Sequence, residues 1–371
     1  MNHAGRMLEW EELTITEKFK IEKVSPHQSG IFALATGRYG EKELLVTGSL
    51  DGKIKVYQIN EKNLLKLGEA SHTAEVRCAC VINSKLLSGD SKGHLRVWSW
   101  PKCDLIHKEA KAHQTRVICI TPFIYHDTCL SSSTLLCFKA FFEANPLLKL
   151  PKPLQRKICE NMFHHFCVTG SADKKVKLWE IKENGTLQLF LSFSEHKNHV
   201  NDCAQVDSET LVSVGADSRI IFWSRSQKKR ICTVEHPSNS ILCVEIVSIR
   251  EAEHSRDFLL TGDYSKKLVL WDLNTTKNLC SLNFEAPIGC MMKSPNNPTI
   301  LFVGCDDSSI KIVQLISKKG ETRFSLLETL KAHRGWLTGV AKIEECLFTV
   351  STDGLLVRYT PLHKDSISWL K

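Results

Sequence analysis

A short two-strand pattern occurs seven times along the chain, and this repeat constrains the fold more than any other feature. The first copy is LLVTGSLDGKIKVYQI at 44–59, and related copies lie at 85–100, 166–181, 210–225, 258–273, 300–315 and 346–361. Each copy alternates apolar and polar residues on both sides of a tight polar turn, which is typical of a β-hairpin. The period of about 40 residues indicates a repeat architecture of small sheets.

Such sheets are stable only when their neighbours cover them. Radial packing of four-stranded sheets buries both apolar faces and leaves only short edges. We therefore expect an all-β fold, a single seven-bladed β-propeller over residues 1–371. Ring closure requires the two chain ends to share a blade, and the favoured closing strand is 19–24, with the tail at 366–370 as the alternative.

Two columns of residues recur in register across the copies. The turn position holds Asp51, Lys92, Asp173, Asp217, Ser265, Asp307 and Asp353. Six residues later stand Tyr57, Trp98, Trp179, Trp223, Trp271, Val313 and Tyr359, where a large ring can pack against the neighbouring sheet. A histidine precedes the first strand of most copies, at His72, His113, His196, His236 and His333, with His27 as a looser match.

These columns resemble those of the WD-repeat family, although only Trp271-Asp272 copies the closing dipeptide literally. The resemblance implies a hydrogen-bonded network in each blade that joins the histidine, a strand Ser or Thr, the turn Asp and the Trp. It assigns this structural role to His72, Ser88, Trp98, Asp173, Trp179, His196, Ser213, Asp217, Trp223, Trp271, His333, Thr349 and Asp353. In the second copy Lys92 replaces the Asp, and the sixth copy lacks the His and the Trp, so its blade should depend more on apolar packing.

Blade 3 carries an insertion. One interval between turns is 81 residues long, whereas the others are 41 to 48, and the extra segment is about 122–165. Ser132 and Ser133 are candidate N-caps of a helix that Asn145-Pro146 would end, and Pro153 can open a second helix. The simplest prediction is a helical hairpin on the propeller face opposite to the histidine-bearing loops.

Parts of this insertion resemble adaptor boxes of ubiquitin ligases. The spacing of the first F-box helix is matched by Leu150, Pro151, Leu154, Ile158 and Met162, while Leu136-Cys137, Phe141 and 150–153 resemble a SOCS box. Both matches are incomplete, because the F-box lacks its remaining helices and Ser133 stands where the SOCS box has a Leu. The resemblance implies docking to a cullin-ligase adaptor, and the alternative is a plain helical insertion.

The charge distribution and the cysteine content bear on the ligand class and on the cellular compartment. The net charge of +8 is spread along the chain, whereas nucleic-acid binding needs a clustered basic footprint, so that function is a weak alternative. The fifteen cysteines lie mostly in strand-like runs, where Cys behaves as a small hydrophobe. With no secretory signal and no apolar run of the ~18 residues that a membrane span needs, we expect a cytoplasmic protein, with the nucleus as the alternative.

No motif predicts catalysis, a cofactor or a metal. The sequence contains no phosphate-binding glycine-rich loop, nucleophile elbow or zinc-protease motif. Zinc-type ligands occur at His126, Cys129, His164, His165 and Cys167, but their spacing matches no recognised zinc motif. A residue that recurs once per blade is expected to serve the architecture, so we predict a protein that is not an enzyme.

The rim of the propeller is the predicted binding surface. In the family, rim residues come from the start of each inner strand and from the position before the turn Asp, which here are Phe32, Leu50, Glu75, Arg77, Ser91, Arg116, Ile118, Ala172, His199, Asn201, Ala216, Leu242, Tyr264, Asp306, Trp336, Thr338 and Thr352. Of these, the predicted partner-binding residues are Phe32, Arg77, Arg116, His199, Asn201, Tyr264 and Trp336, because hot spots are enriched in Trp, Tyr and Arg. The alternative for Trp336 is that it plugs the channel mouth.

The sequence thus predicts a non-catalytic scaffold or adaptor, monomeric within a complex, that binds protein partners through its rim. The alternative is the substrate-recognition subunit of a cullin-type ubiquitin ligase that docks to the ligase core through the 130–165 hairpin.

Overall fold

The protein is described by a computed structural model that covers residues 7–16, 18–126, 163–250, 255–318 and 321–362. Within these residues every regular element is a β-strand, and the strands form seven antiparallel sheets. The N-terminal strands are β1 (Met7–Glu9), β2 (Glu11–Ile15) and β3 (Phe19–Val24).

The strands of blades 1 to 4 follow in chain order. Blade 1 contains β4 (Ile31–Tyr39), β5 (Lys42–Ser49), β6 (Lys53–Ile59) and β7 (Asn63–Ser71). Blade 2 contains β8 (Val76–Ile82), β9 (Lys85–Asp90), β10 (Leu95–Ser99) and β11 (Leu105–Glu109). Blade 3 contains β12 (Val117–His126), β13 (Phe163–Ser171), β14 (Val176–Ile181) and β15 (Leu187–Phe193). Blade 4 contains β16 (Val200–Gln205), β17 (Thr210–Gly215), β18 (Arg219–Ser224) and β19 (Lys229–Glu235).

The remaining strands form blades 5 to 7. Blade 5 contains β20 (Ile241–Arg250), β21 (Ser255–Asp263), β22 (Lys267–Asp272) and β23 (Asn278–Asn283). Blade 6 contains β24 (Ile288–Lys293), β25 (Ile300–Cys305), β26 (Ser309–Lys318) and β27 (Glu321–Lys331). Blade 7 contains β28 (Leu337–Ile343), β29 (Cys346–Ser351) and β30 (Leu356–Pro361).

The seven sheets close into a ring. The first strand of each blade is its inner strand, and it packs against the inner strand of the next blade. The inner strand of blade 7, β28, packs in turn against β4 of blade 1. This arrangement confirms the predicted all-β, seven-bladed propeller.

The N-terminal strand β3 closes the ring, as expected from the sequence. It pairs with β30 from Phe19 opposite Pro361 to Val24 opposite Leu356, so blade 7 combines an N-terminal strand with the last described strand. The alternative closing segment at 366–370 lies outside the described residues. Two further strands reinforce the seam between blades 7 and 1. Strand β2 pairs with β3 on blade 7, and β1 pairs with β7 on blade 1.

A buried arginine lies at the same seam. The Nε of Arg358 donates to Glu22 at 2.9 Å, and its Nη1 and Nη2 atoms donate to the carbonyl oxygens of Asn60 and Glu61 in blade 1. Trp10, between β1 and β2, covers the guanidinium with its ring centroid at 4.4 Å. One side chain of β30 is therefore bonded to the closing strand β3 and to blade 1.

The apolar core is divided among the blade interfaces. Each pair of adjacent blades encloses its own cluster of buried side chains, such as Leu211 and Trp223 of blade 4 with Phe166 of blade 3. Trp223 is fully buried there and stacks on Phe193, with ring centroids 4.4 Å apart. Because neighbouring blades share these clusters, each blade is stabilised mainly by its neighbours.

A β-bulge at the start of every inner strand shapes the channel mouth. In each blade the register shifts directly after the first residue of that strand. A bulge leaves one residue unpaired and redirects its side chain. The seven bulged residues all line the central cavity, and they are Phe32, Arg77, Ile118, Asn201, Leu242, Gly289 and Thr338.

The ends of the predicted insertion belong to the blade. Residues 122–126 are part of β12, and residues 163–165 are part of β13. The predicted bounds of the insertion, 122–165, were therefore too wide at both ends. The predicted helical hairpin and the docking residues Leu150, Pro151, Leu154, Ile158 and Met162 lie outside the described residues. No helix that could cross a membrane is found in the part of the chain that the structure describes.

Candidate functional site

Blade 3 shows how the repeated polar residues are connected. The indole Nε1 of Trp179 donates to Thr169 Oγ1 at 2.9 Å, and the same hydroxyl lies 2.8 Å from His113 Nε2. On the other side of the ring, His113 Nδ1 lies 2.9 Å from Asp173 Oδ2. The three contacts are satisfied together when the hydroxyl donates to Nε2 and Nδ1–H donates to the carboxylate. The network ties the loop before the inner strand to the two middle strands.

The same connections occur in four other blades. In blade 4 His196 bonds Ser213 at 2.8 Å and Asp217 at 3.0 Å, and Trp223 donates to Ser213 at 2.8 Å. In blade 2 Ser88 bonds both His72 at 2.7 Å and Trp98 at 2.8 Å. Blades 1 and 7 carry Tyr in the Trp position and keep the remaining pairs, which are His27 with Thr47 and Asp51, and His333 with Thr349 and Asp353.

The acidic partner in blade 2 is not at the aligned turn position. Lys92 occupies that position, and we expected the blade to lack the carboxylate, but His72 Nδ1 lies 3.2 Å from Asp90, two residues earlier. Asp90 also contacts His94 at 2.9 Å. Blade 5 keeps the bond between His236 and Thr261 at 3.0 Å, but His236 Nδ1 accepts from the backbone N–H of Ser238 at 3.1 Å, and Asp263 lies 3.9 Å away. The network thus accepts an acid from either of two turn positions.

The charges in these networks are fixed by their surroundings. Burial is the main cause that lowers the pKa of His27, His72 and His113, which favours the neutral imidazole. Burial alone would raise the pKa of Asp173, but the bonds from His113, Gln114 and Lys175 lower it to about 2. These shifts favour a neutral histidine and an ionised carboxylate in the networks of blades 1, 2 and 3.

The order Ser/Thr, His, Asp resembles that of a hydrolytic triad, but its surroundings differ. The hydroxyl-bearing residues Thr47, Ser88, Thr169, Ser213, Thr261 and Thr349 are all fully buried. A nucleophile must reach the substrate, and these hydroxyls contact only their own blade. The arrangement supports a structural role for the networks.

The rim residues converge on a central cavity of about 520 Å³. Of the predicted binding residues, Phe32, Arg77, Asn201, Tyr264 and Trp336 line it. Trp336 and Tyr264 are 61% and 62% exposed, so Trp336 lines the cavity without filling it. These two rings are the largest exposed apolar groups at the mouth.

Arg77 and Asn201 are already engaged within the propeller. Arg77 donates to Glu75 at 2.6 Å and lies over the ring of Phe32, 4.6 Å from its centroid. Asn201 Nδ2 donates to the carbonyl oxygen of Ile241 at 2.7 Å, which connects blades 4 and 5. Their availability to a partner is therefore lower than that of Trp336 and Tyr264.

Arg116 and His199 form a separate pair on the rim. They lie 3.5 Å apart at the starts of blades 3 and 4, and neither lines the cavity. Burial lowers the pKa of His199, and the nearby charges of Arg116 and Lys174 lower it further. The structure thus divides the predicted binding residues into a cavity group and a basic group.

Some residues of the site were missed by the sequence reasoning. Asp202 lines the cavity from the third position of β16, where it was not singled out. The signal was present, since the equivalent positions hold Ala33, Cys78, Cys119, Cys243, Cys290 and Gly339, and none of these is charged at neutral pH. No group of three or more potential metal-ligating side chains occurs among the described residues.

Comparisons with known proteins are consistent with this geometry. The model of the family described as WD domain, G-beta repeat, matches residues 19–58, 158–180 and 187–224. The WD40 β-propeller domain of Doa1 superimposes with a TM-score of 0.66 at 14% identity, over 92% of this chain and 96% of that chain. At this identity the likeness concerns the fold.

Curated relatives match only part of this chain. Nuclear distribution protein PAC1 of Candida glabrata is 22% identical over 270 residues, which is 67% of this chain and 54% of that protein. Retinoblastoma-binding-like protein E of Dictyostelium discoideum is 33% identical over 111 residues, 29% of this chain and 20% of that protein. Guanine nucleotide-exchange factor SEC12 of Rattus norvegicus is 30% identical over 76 residues, 20% of this chain and 18% of that protein. The chain therefore spans about half of PAC1 and a fifth or less of the other two.

Proposed function

We propose that this chain, a seven-bladed β-propeller with segments that match the WD-repeat model and with an exposed aromatic rim, is a non-catalytic scaffold that binds protein partners through that rim. The observation that carries the proposal is the exposure of Trp336 and Tyr264 at the mouth of the cavity. Soluble proteins seldom leave such rings at a concave surface unless a partner covers them, and Trp and Tyr are prominent among interface hot spots.

The separation between residues that stabilise the fold and residues that are exposed at the rim supports the same role. The networks and the interface clusters consist largely of buried residues of the blades. Trp336 and Tyr264 belong to neither set. Their side chains are thus free to contribute to binding without a cost to folding.

The experiment is a capture assay with matched variants. Tagged wild-type protein and a Trp336→Ala/Tyr264→Ala variant are compared with an Ile231→Ala/Leu279→Ala control, which removes exposed apolar groups from outer strands β19 and β23. We expect the rim variant to lose its co-purifying proteins and the control to keep them. Equal recovery by all three proteins would reject the rim as the binding surface.

A second role is proposed for the insertion, on the basis of the LPKPLQRKICENM run at 150–162. Strand β12 ends at His126 and β13 begins at Phe163, both at the end of blade 3 opposite to the rim. We propose that the insertion between β12 and β13 docks to a cullin-ligase adaptor while the rim holds a substrate. Replacement of 130–160 by a Gly-Ser linker should then remove cullin adaptors from the co-purifying proteins and leave rim partners bound. Retention of the adaptors would reject the ligase role.

A further inference from the structure

Two aromatic residues break the repeat pattern at the same cavity. Backbone hydrogen bonds establish the equivalent positions, because the residue before each turn position donates to the carbonyl oxygen of the residue before each inner strand. The residue before the inner strand is Trp336 in blade 7, and in the other blades it is Gly30, Glu75, Arg116, His199, Ser240 and Pro287. The residue before the turn position is Tyr264 in blade 5 and Asp306 in blade 6, and elsewhere it is Leu50, Ser91, Ala172, Ala216 and Thr352.

Asp202 breaks the pattern in a third column. It stands where four other blades have Cys and the remaining two have Ala or Gly. Six blades thus fold with an uncharged residue at this position. A carboxylate that faces the channel costs desolvation energy, so its presence in blade 4 is not explained by the architecture.

The carboxylate of Asp202 has acceptor capacity left over. Its Oδ1 accepts from the backbone N–H of Cys203 at 2.8 Å, and its Oδ2 accepts from that of Val244 at 3.0 Å. An ionised carboxylate can accept about four hydrogen bonds. Burial raises the pKa of Asp202 to about 7 against the effect of these two donors, and the nearby charge of Glu245 raises it further.

A second carboxylate lines the same cavity. Burial raises the pKa of Asp306, and the neighbouring Asp307 raises it further. Within the described residues, the charged side chains that line the cavity are Asp202, Asp306 and Arg77, and the arginine is already paired with Glu75. The cavity is therefore lined by two carboxyl groups below an aromatic mouth.

We propose that this cavity receives a positively charged side chain, Lys or Arg, from a partner peptide that docks on the rim. The cationic head group would bond the carboxylates of Asp202 and Asp306, and its stem would pass between Trp336 and Tyr264, whose rings attract cations. The volume of about 520 Å³ is sufficient for one such side chain. The inference rests on the proposed rim docking and adds the chemistry of the bound residue.

The test uses short capped peptides and the complete chain. Acetyl-Gly-Arg-Gly-amide, its Lys counterpart and its citrulline counterpart, which is neutral and similar in shape to Arg, are titrated into the protein by calorimetry. We expect saturable binding of the Arg and Lys peptides and at least tenfold weaker binding of the citrulline peptide. Equal binding of the citrulline peptide, or no binding of either cationic peptide, would overturn the proposal.

Variants assign the binding to the cavity. Asp202→Cys restores the residue found at this position in blades 2, 3, 5 and 6, so it should fold normally while it weakens Arg-peptide binding at least tenfold. The control Asp257→Asn removes an exposed carboxylate of β21 and should not change the affinity. Unchanged affinity in a folded Asp202→Cys variant would overturn the cation site. This result is independent of the capture assay, in which loss of partners by the Trp336→Ala/Tyr264→Ala variant tests rim docking itself.

Discussion

Blades 4 and 6 stabilise the same sheet geometry in different ways. Blade 4 joins His196, Ser213, Asp217 and Trp223 through buried hydrogen bonds. Blade 6 has Phe284, Val303 and Val313 at the positions of the His, the Ser and the Trp. Val303 and Val313 are fully buried, and Phe284 packs against their cluster.

This difference shows that the network is replaced as a unit. A buried polar group that loses its partner costs about 1–3 kcal/mol, whereas removal of all partners together is close to neutral. In blade 6 the three polar side chains are absent together, so none is left unsatisfied. The turn acid Asp307 remains, and it accepts from the backbone N–H and the hydroxyl of Ser309.

The largest effect is expected when the aromatic member of blade 4 is removed. Trp223→Ala deletes a fully buried ring and leaves the Ser213–His196 pair beside a cavity, so the free energy of unfolding should fall by about 3–5 kcal/mol. Val313→Ala at the matching position of blade 6 removes less volume and should cost less. Urea unfolding of the two variants checks the order, and a larger loss in Val313→Ala would contradict it.

A smaller effect is expected when one hydroxyl is exchanged in each blade. Ser213→Ala leaves Trp223 Nε1 and His196 Nε2 without their shared partner, and Val303→Thr places a hydroxyl where blade 6 provides no network. Each change should lower the free energy of unfolding by roughly 1–3 kcal/mol. If Val303→Thr were stabilising in thermal denaturation, the two blades would not differ as described.

The pH dependence of the free energy of unfolding distinguishes a carboxylate that is bonded to histidine from one that is not. The pKa of Asp173 is lowered to about 2 from an ordinary value of 3.8, so its stabilisation is present above about pH 4 and is lost as the pH falls through 2. Asp173→Asn should cost about 2 kcal/mol at pH 7, and its difference from wild type should disappear near pH 2. Asp307→Asn in blade 6 should cost less, because no histidine donates to that carboxylate. A constant difference between Asp173→Asn and wild type from pH 7 to 2 would refute the assignment.

The smallest effect on stability is expected at the rim. Trp336→Ala and Tyr264→Ala remove mostly exposed rings, so each should change the free energy of unfolding by less than about 0.5 kcal/mol. Their effect should be on binding instead. A destabilisation comparable with that of Ser213→Ala would mean that the rim residues belong to the fold.

The sequence predicts features that repeat and misses those that do not. The hairpin pattern and the aromatic column are local signals, so the seven blades and the closing strand at 19–24 follow from them. In blade 2 the acid is supplied by Asp90, because the aligned turn position holds Lys92. An alignment by position does not show how far the Asp90 side chain reaches, so it could not predict this contact. Asp202 illustrates a different limit, because its significance depends on the bulge that turns the neighbouring Asn201 and on the cavity that both residues line.

The central claim is that repeated residues hold the ring while residues that break the repeat bind partners. The most direct measurement follows thermal unfolding and partner capture in parallel for Ser213→Ala and for Trp336→Ala/Tyr264→Ala. We predict that Ser213→Ala lowers the unfolding temperature and retains its partners at low temperature, whereas the rim variant unfolds as wild type does and loses them. A rim variant that is destabilised like Ser213→Ala and still captures every partner would contradict the account.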